Sequence, residues 1–214
     1  MKTIVVVILV LLTFGTFVYA SPISQQWIKI YEGPENDSFN CIQQTMDGGY
    51  IATGHTRSFA PGLSIYLWVL KFDANGHVSW QKTYHHGSFI NDGYTIQQTS
   101  DGGYILGGFT SMPGKSWMLK LDSNGDIVWQ KTYDEIIQFN VIQQIANGGY
   151  IAIGPGNVLK IDTDGNVAWH KIIRGLEHLS LTGIQQTSEE GYIISGYHYT
   201  SADYDILVLE LDSN

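Results

Sequence analysis

The residues best able to do chemistry in this 214-residue chain are its acidic and histidine side chains. Asp122–Asp126 (DSNGD) and Asp162–Asn166 (DTDGN) resemble fragments of calcium-binding loops, which supply six to eight oxygen ligands. Neither segment carries the glutamate that completes an EF-hand loop, and both lie where the sequence predicts a tight turn. We therefore predict turns at these two segments and no calcium site.

Two adjacent histidines, His85 and His86, are the next candidates for a metal site. On a strand they would point to opposite faces, and no cysteine or carboxylate at ligand spacing accompanies them. The single cysteine, Cys41, lies in a strand position and is predicted to be a small buried residue. The GxSxG, HExxH and P-loop motifs are absent. The sequence thus predicts neither a metal nor a cofactor, and it leaves open catalysis by paired carboxylates, whose separation only a structure gives.

Four copies of one repeat must position these residues. The string Ile-Gln-Gln begins at Ile42, Ile96, Ile142 and Ile184, and a glycine-rich turn followed by Tyr-Ile comes soon after it in each copy. A repeat of roughly 40 to 50 residues is typical of blade-like or solenoid proteins.

The residue pattern within each copy predicts four strands. Asn-Gly or Asp-Gly turns join the third and fourth strands and favour hairpins, because their central residues accept positive φ. Glycine closes the second strand at Gly54, Gly108, Gly154 and Gly196, which indicates that another backbone approaches closely there. The third strand is apolar on both faces, as in sheets packed face to face. The predicted fold is all-β, a β-propeller of four four-stranded blades over residues 21–214.

The two ends of the repeat region complement each other. Trp27–Tyr31 resembles a fourth strand, and the last copy reaches its third strand at Ile206–Leu211. We predict that the N-terminal strand closes the last blade. Closure could occur within a monomer or between the chains of a homodimer that share an eight-bladed ring.

The repeats resemble the glycine-rich, DGGYI-type propeller repeats of secreted prokaryotic proteins, which are grouped with the quinoprotein-like propellers. The matching motif is IQQTxDGGYIxxGxT followed by WxLKLDxNGxIxWQKTY, and it covers residues 27–212. The resemblance implies a secreted or cell-surface propeller without an assigned reaction, in a family whose members usually carry more than four blades. It does not imply quinoprotein oxidation, since some of those enzymes need two neighbouring cysteines and this chain has one.

Residues 1–20 have the layout of a secretory signal peptide: Lys2, an apolar stretch, and small residues at Val18 and Ala20. We predict cleavage after Ala20, secretion to the extracellular space or the cell surface, and no membrane insertion after cleavage. The alternative is a retained anchor, because the apolar stretch is only slightly short of a membrane span. The formal net charge of −9 opposes contact with nucleic acid and anionic lipid, and we predict neither partner.

Predicted ligand-binding residues lie in the connections that vary between copies. Alternate connections of an antiparallel sheet lie at opposite ends, so all the variable loops share one end, where binding residues tend to sit. The predicted site residues are Arg57, Phe59, His85, His86, Asp92, Arg174, Glu177, His178, Tyr197, His198 and Tyr199. The six tryptophans all fall in repeat positions and are predicted to be framework residues.

Three hypotheses of function follow. The first is a non-enzymatic binding or interaction module, with a glycan or a protein as ligand. The second is a hydrolase or lyase that uses the carboxylates and histidines of the variable loops. The third is a building block of a larger propeller.

Overall fold

The computed structural model describes residues 27–31, 33–87, 89–112, 114–134, 138–174, 178–200 and 203–213. These residues form fifteen β-strands in four antiparallel sheets. The predicted signal peptide, residues 1–20, lies outside the described residues.

Each sheet is one blade, and its strands follow one another in chain order. Blade 1 contains β1 (Asp37–Gln44), β2 (Tyr50–Thr56), β3 (Tyr66–Phe72) and β4 (Val78–Tyr84). Blade 2 contains β5 (Asn91–Gln98), β6 (Tyr104–Thr110), β7 (Lys115–Leu121) and β8 (Ile127–Tyr133). Blade 3 contains β9 (Val141–Gln144), β10 (Tyr150–Gly154), β11 (Asn157–Ile161) and β12 (Val167–Ile172). Blade 4 contains β13 (Leu179–Gln186), β14 (Tyr192–Tyr199) and β15 (Tyr204–Leu211).

This architecture is a β-propeller, as the sequence predicts. Buried apolar clusters join each blade to the next one, so the third strands of blades 1, 2 and 3 are covered on both faces. Between blades 1 and 2, for example, Ile51, Leu67 and Val69 pack against Ile96 and Trp117. The predicted buried cysteine, Cys41, is only half-buried at the edge of this cluster.

The predicted close approach of another backbone is present at Gly54, Gly108 and Gly196. A Cβ on Gly54 would lie 2.0 Å from the carbonyl oxygen of Ser38, and one on Gly108 would lie 2.1 Å from that of Asp92. Each glycine faces a β-bulge in the first strand of its own blade. Gly196 stands in the same relation to Ser180.

The turns between third and fourth strands differ in one respect from the hairpins expected for Asn-Gly and Asp-Gly. Only the glycine has positive φ, 78° at Gly125 and 81° at Gly165. Asp122 Oδ1 accepts hydrogen bonds from the N–H groups of Asn124 and Asp126, and the strand register then shifts by one residue. A side-chain turn with a glycine bulge explains the repeated Asp-x-Asn/Asp-Gly pattern.

A recurring set of contacts among tryptophan, tyrosine and glycine joins successive blades. The ring of Trp80 lies over Gly125 of the next blade, and the hydroxyl of Tyr84 donates to the Gly125 carbonyl at 2.6 Å. Trp80 also meets the edge of Tyr104, with ring centroids 5.9 Å apart. Trp129, Tyr133, Gly165 and Tyr150 repeat this arrangement between blades 2 and 3.

The repeated glutamines form a second connection between blades. Oε1 of Gln98 accepts from the backbone N–H of Met46 at 2.7 Å, and Oε1 of Gln144 accepts from Ser100 at 2.8 Å. Gln186 makes the same bond with Ala146. In blades 2, 3 and 4 the second glutamine of the repeat is therefore a structural residue that ties its blade to the preceding one.

Blade 4 shows the one departure from the predicted topology. Within the described residues, no strand lies on the outer side of β15, and Trp27–Tyr31 does not have strand structure. This segment contacts blade 1 instead: Trp27 lies over Gly76, and Tyr31 Oη donates to the Gly76 carbonyl at 2.5 Å.

A lysine buried in each of blades 1 and 2 bonds to the aspartate of the DGG turn. Lys71 Nζ lies 2.8 Å from Asp47, and Lys120 Nζ lies 2.8 Å from Asp101. Hydrogen bonding from Lys71 holds the pKa of Asp47 well below its usual value. Burial would raise the pKa of Asp101, but hydrogen bonds from Lys120 and Thr99 outweigh it and lower the pKa to about 2.

These lowered pKa values predict acid sensitivity. Stabilisation by the two aspartates is complete above their unfolded pKa of about 3.9 and is lost as the pH falls toward the folded pKa values. We expect the double variant Asp47→Asn/Asp101→Asn to be less stable than wild type at pH 7. The urea midpoints of the two proteins should converge between about pH 4 and pH 2. A difference that stays constant down to about pH 2 would contradict this role for the ion pairs.

Candidate functional site

The two kinds of connection lie at opposite ends of the blades, as predicted. At one end are the short turns, such as residues 45–49 and 73–77. At the other end, which we call the variable end, are the connections between β2 and β3, β4 and β5, and their equivalents in later blades. Ten of the eleven predicted site residues are described and lie at or near the variable end, whereas Glu177 lies outside the described residues.

Polar side chains of blades 1 and 2 meet at the variable end in what we call the rim cluster: Asn40, His55, Asp92 and Tyr94. Asn40 Nδ2 donates to Asp92 Oδ1 at 3.0 Å and to the Gly93 carbonyl at 2.9 Å. His55 Nδ1 lies 3.2 Å from Asp92 Oδ1, a distance suited to an ion pair when the imidazole is protonated. The side chains of His55 and Asp92 are 28% and 17% exposed, so a ligand can reach both.

The strands explain why these residues meet. Asn40 is the extra residue of the bulge in β1, and Asp92 precedes the matching bulge in β5. His55 is on β2 next to Gly54, whose missing side chain allows β1 and β2 to approach closely. The bulges turn the first-strand side chains toward the neighbouring blade.

Partial burial changes the proton affinity of the rim cluster. Burial raises the pKa of Asp92, and the neighbouring His55 and the hydrogen bonds it accepts oppose that rise only in part. Burial and then the charge of Asp92 raise the pKa of Tyr94. The cluster can accept and donate hydrogen bonds, and it presents one carboxylate next to one imidazole. Within the described ranges, no group of three or more His, Cys, Asp or Glu side chains is arranged to hold a metal ion.

An aromatic platform lies on the opposite face of blade 1 from the rim cluster, because His55 shares its face with Leu67, which packs on blade 2, and Trp68 lies on the other face. Trp68 stacks on Phe39 with ring centroids 5.0 Å apart, and Phe59 tilts onto the same indole at 5.5 Å. A cavity of about 260 Å³ adjoins it, lined by Lys29, Ile30, Tyr31, Asp37, Ser38, Phe39 and Trp68. Asp37 also holds the loop that carries Arg57, because its Oδ1 accepts from the Arg57 backbone N–H at 3.2 Å.

The two adjacent histidines have different surroundings. His85 stacks on Tyr66 with ring centroids 4.8 Å apart, whereas His86 tilts against Trp117 of blade 2 at 5.6 Å. The backbone N–H of His86 donates to Asn91 at 3.0 Å. Each imidazole therefore packs on its own aromatic ring.

A second aromatic group, which we call the tyrosine cluster, lies on blade 4 and consists of Tyr197, Tyr199 and Tyr204. Tyr204 contacts both other rings, at centroid distances of 4.8 Å to Tyr199 and 5.6 Å to Tyr197. His178 meets Tyr199 at 6.2 Å. His198 lies on the opposite face of β14, across from Asp205 in the register of β14 and β15.

The structure thus divides most of the predicted residues between two parts of the propeller. Phe59, His85, His86 and Asp92 belong to blades 1 and 2, and Tyr197, Tyr199 and His178 belong to blade 4. Arg57 and Arg174 are exposed.

Four residues of the rim cluster and the tyrosine cluster are not among the predicted site residues: Asn40, His55, Tyr94 and Tyr204. His55 could have been found, because it is a histidine at a position that Phe109, Pro155 and Tyr197 occupy in the other copies. Tyr204 also departs from the repeat. Asn40 and Tyr94 have no such signal, because their roles depend on the bulges.

Comparison with known proteins supports the fold alone. No protein-family model and no curated protein matches the chain. Among solved structures, a streptogramin B lyase has a TM-score of 0.55 at 13% identity, over 85% of this chain and 57% of the lyase. Virginiamycin B lyase from Staphylococcus aureus has a TM-score of 0.54 at 13% identity, over 85% of this chain and 58% of that one. A protein of unknown function from Bacteroides caccae has a TM-score of 0.54 at 12% identity, over 86% of this chain and 65% of that one.

The chain therefore spans about 57% to 65% of the lengths of these structures. In the described part of the chain, no helix is long and apolar enough to cross a membrane.

Proposed function

We propose that the chain is a secreted or cell-surface binding module, of the glycine-rich propeller-repeat kind, that holds a glycan at its variable end. The rim cluster is the observation that carries this proposal. There, a carboxylate and an imidazole from different blades converge in a partly exposed position. Sugar hydroxyls need polar groups of this kind, placed so that their hydrogen bonds fix the orientation of the ligand.

The rigid setting of the cluster supports binding. Asp92 accepts a hydrogen bond from Asn40 of the neighbouring blade and lies 3.2 Å from His55 Nδ1, so its carboxylate has a fixed orientation before a ligand arrives. A preorganised polar group loses little conformational entropy on binding, which favours affinity. A protein ligand at the same end is the alternative within this proposal.

The raised pKa of Asp92 beside His55 favours one second candidate, a hydrolase or lyase in which Asp92 acts as an acid or base. The two proposals differ in turnover. A binding module retains its ligand unchanged, whereas an enzyme releases an altered product.

A glycan array probed with the protein and with Asp92→Asn tests the proposal. Because asparagine keeps the shape but lacks the negative charge, we expect affinity for the bound glycan to fall about tenfold or more. The melting temperature should change little. Asp164→Asn, at the opposite end of the blades, is the matched control and should bind like wild type.

Two outcomes would overturn binding as the function. Equal glycan affinity of wild type and Asp92→Asn would remove the rim cluster from the site. Chemical change of a glycan during incubation, detected by mass spectrometry and lost in Asp92→Asn, would favour the enzyme. If no glycan binds while a protein does so with the same dependence on Asp92, the ligand class must be corrected to protein.

A further inference from the structure

The N-terminal segment, residues 27–31, sits on blade 1 in the manner of a fourth strand from a preceding blade. Trp27 lies over Gly76 and meets the edge of Tyr50 at 6.1 Å and 71°. The equivalent contact between Trp80 and Tyr104 has 5.9 Å and 66°. Tyr31 Oη donates to the Gly76 carbonyl just as Tyr84 does to that of Gly125. Within the described residues, however, the segment has no paired third strand.

The outer face of blade 4 shows the complementary feature. Ile206 and Val208 on β15 are 89% and 66% exposed. The repeat aligns them with Leu67 and Val69 of blade 1, which are fully buried against blade 2. Exposed apolar positions on an edge strand favour association with another strand. Blade 4 therefore presents the surface that, in blade 1, packs on a following blade.

Blade 1 presents the surface that receives such a face. Gln44 is exposed, although its equivalents Gln98 and Gln144 accept a backbone N–H from the preceding blade. Ile42 is exposed as well, whereas its equivalent Ile96 is fully buried. The repeat predicts the backbone N–H of Ser188 in blade 4 as the donor to Gln44.

We propose that a second copy of this chain occupies these faces. Blade 4 of each copy packs on blade 1 of the other, and the segment 27–31 of each copy becomes the fourth strand beside the partner's β15. The inter-sheet apolar clusters of the described residues join blades 1 and 2, 2 and 3, and 3 and 4. On the terminal face of blade 1 the third strand is buried under Tyr31, which leaves β1 of blade 1 and the outer face of blade 4 to a partner.

Two copies would give eight blades, within the range of roughly four to eight that propellers usually have. Each contact is head-to-tail, with blade 4 of one copy on blade 1 of the other, and a rotation of about 180° between the copies closes the ring. Tyr197 would take the place that His55 has between blades 1 and 2 and would face the partner's Ser38, the equivalent of Asp92. The tyrosine cluster would then line the interface at its variable end.

Light scattering coupled to size exclusion tests the proposal on the mature chain. We expect a dimer for wild type. In Val208→Glu, which would bury an unpaired charge in the interface, we expect the affinity between copies to fall about tenfold or more and to give a monomer at micromolar concentration. Val128→Glu is the control, because Val128 is 61% exposed on β8 and lies at neither terminal face.

A monomeric wild type, or a Val208→Glu variant that stays as dimeric as Val128→Glu, would overturn the proposal. Glycan binding through Asp92 does not depend on this interface. Loss of the dimer with retained binding, or the reverse, therefore separates this inference from the proposed function.

Discussion

Replacing Trp129 with alanine should lower the free energy of unfolding by about 3 kcal/mol. The indole fills the gap over Gly165, meets the edge of Tyr150 at 6.0 Å, and donates from Nε1 to the Thr163 carbonyl at 3.0 Å. Alanine removes all three contacts at once and opens the seam between blades 2 and 3. Urea unfolding followed by circular dichroism measures the loss.

Tyr133→Phe is the matched control for these contacts between blades 2 and 3. It removes only the hydroxyl that donates to the Gly165 carbonyl at 2.8 Å, and the aromatic ring stays against Phe139. We expect a loss of about 1 kcal/mol, typical of one hydrogen bond. If Trp129→Ala is no more destabilising than Tyr133→Phe, the indole does not hold the blades together.

Gly108→Ala should be at least as damaging, for a different reason. A Cβ at this position would lie 2.1 Å from the carbonyl oxygen of Asp92, a backbone atom that cannot move without disrupting the bulge in β5. We expect a loss of several kcal/mol or failure to fold. The same change would displace Asp92 from the rim cluster, so any residual folded protein should also bind ligand poorly.

Comparison with Gly102→Ala distinguishes the effect of a steric clash from the effect of backbone strain. Gly102 has a φ of 82°, and a Cβ added there would meet no heavy atom within 4 Å, so alanine suffers only the cost of a left-handed conformation. That cost is about 1 kcal/mol. Equal losses in the two glycine variants would show that packing around Gly108 adapts and that the bulge is not rigid.

The sequence predicts the blades well because their periodicity is repeated four times. The alternation of side chains along strands, the turn glycines and the tryptophans that pack between blades each follow from local geometry. Their recurrence from copy to copy shows that they do not occur by chance. The repeat also shows the glutamines, but it does not show which groups they contact. Gln98 and Gln144 bond to another blade, and no spacing within one repeat shows that contact.

The candidate site was less predictable because it depends on contacts across a seam. Asp92 could be placed at the variable end from the sequence, but its partners Asn40 and His55 come from another blade. The pairing requires β1 and β5 to carry bulges in matching places, and the bulge residues differ between copies. Departures from the repeat, such as His55, are the best available signal for such residues.

The association of Trp27–Tyr31 also needed three-dimensional information. The sequence shows that the segment resembles a fourth strand, but not which surface it covers. Its contacts with Gly76 and Tyr50 place it against blade 1, and the exposed Val208 marks the strand that it should join.

Disulfide trapping tests the central claim, that the segment completes blade 4 of a second copy, most directly. The repeat register aligns Lys29 with Lys82, which pairs with Val69, so Lys29 should lie opposite the partner's Val208. In a Cys41→Ser background, Lys29→Cys/Val208→Cys should form a covalent dimer under mild oxidation, visible on a non-reducing gel. Lys29→Cys/Leu207→Cys places the two thiols on opposite faces and should not. A disulfide confined to the monomer, or equal cross-linking of the two variants, would contradict completion of the propeller by a second chain.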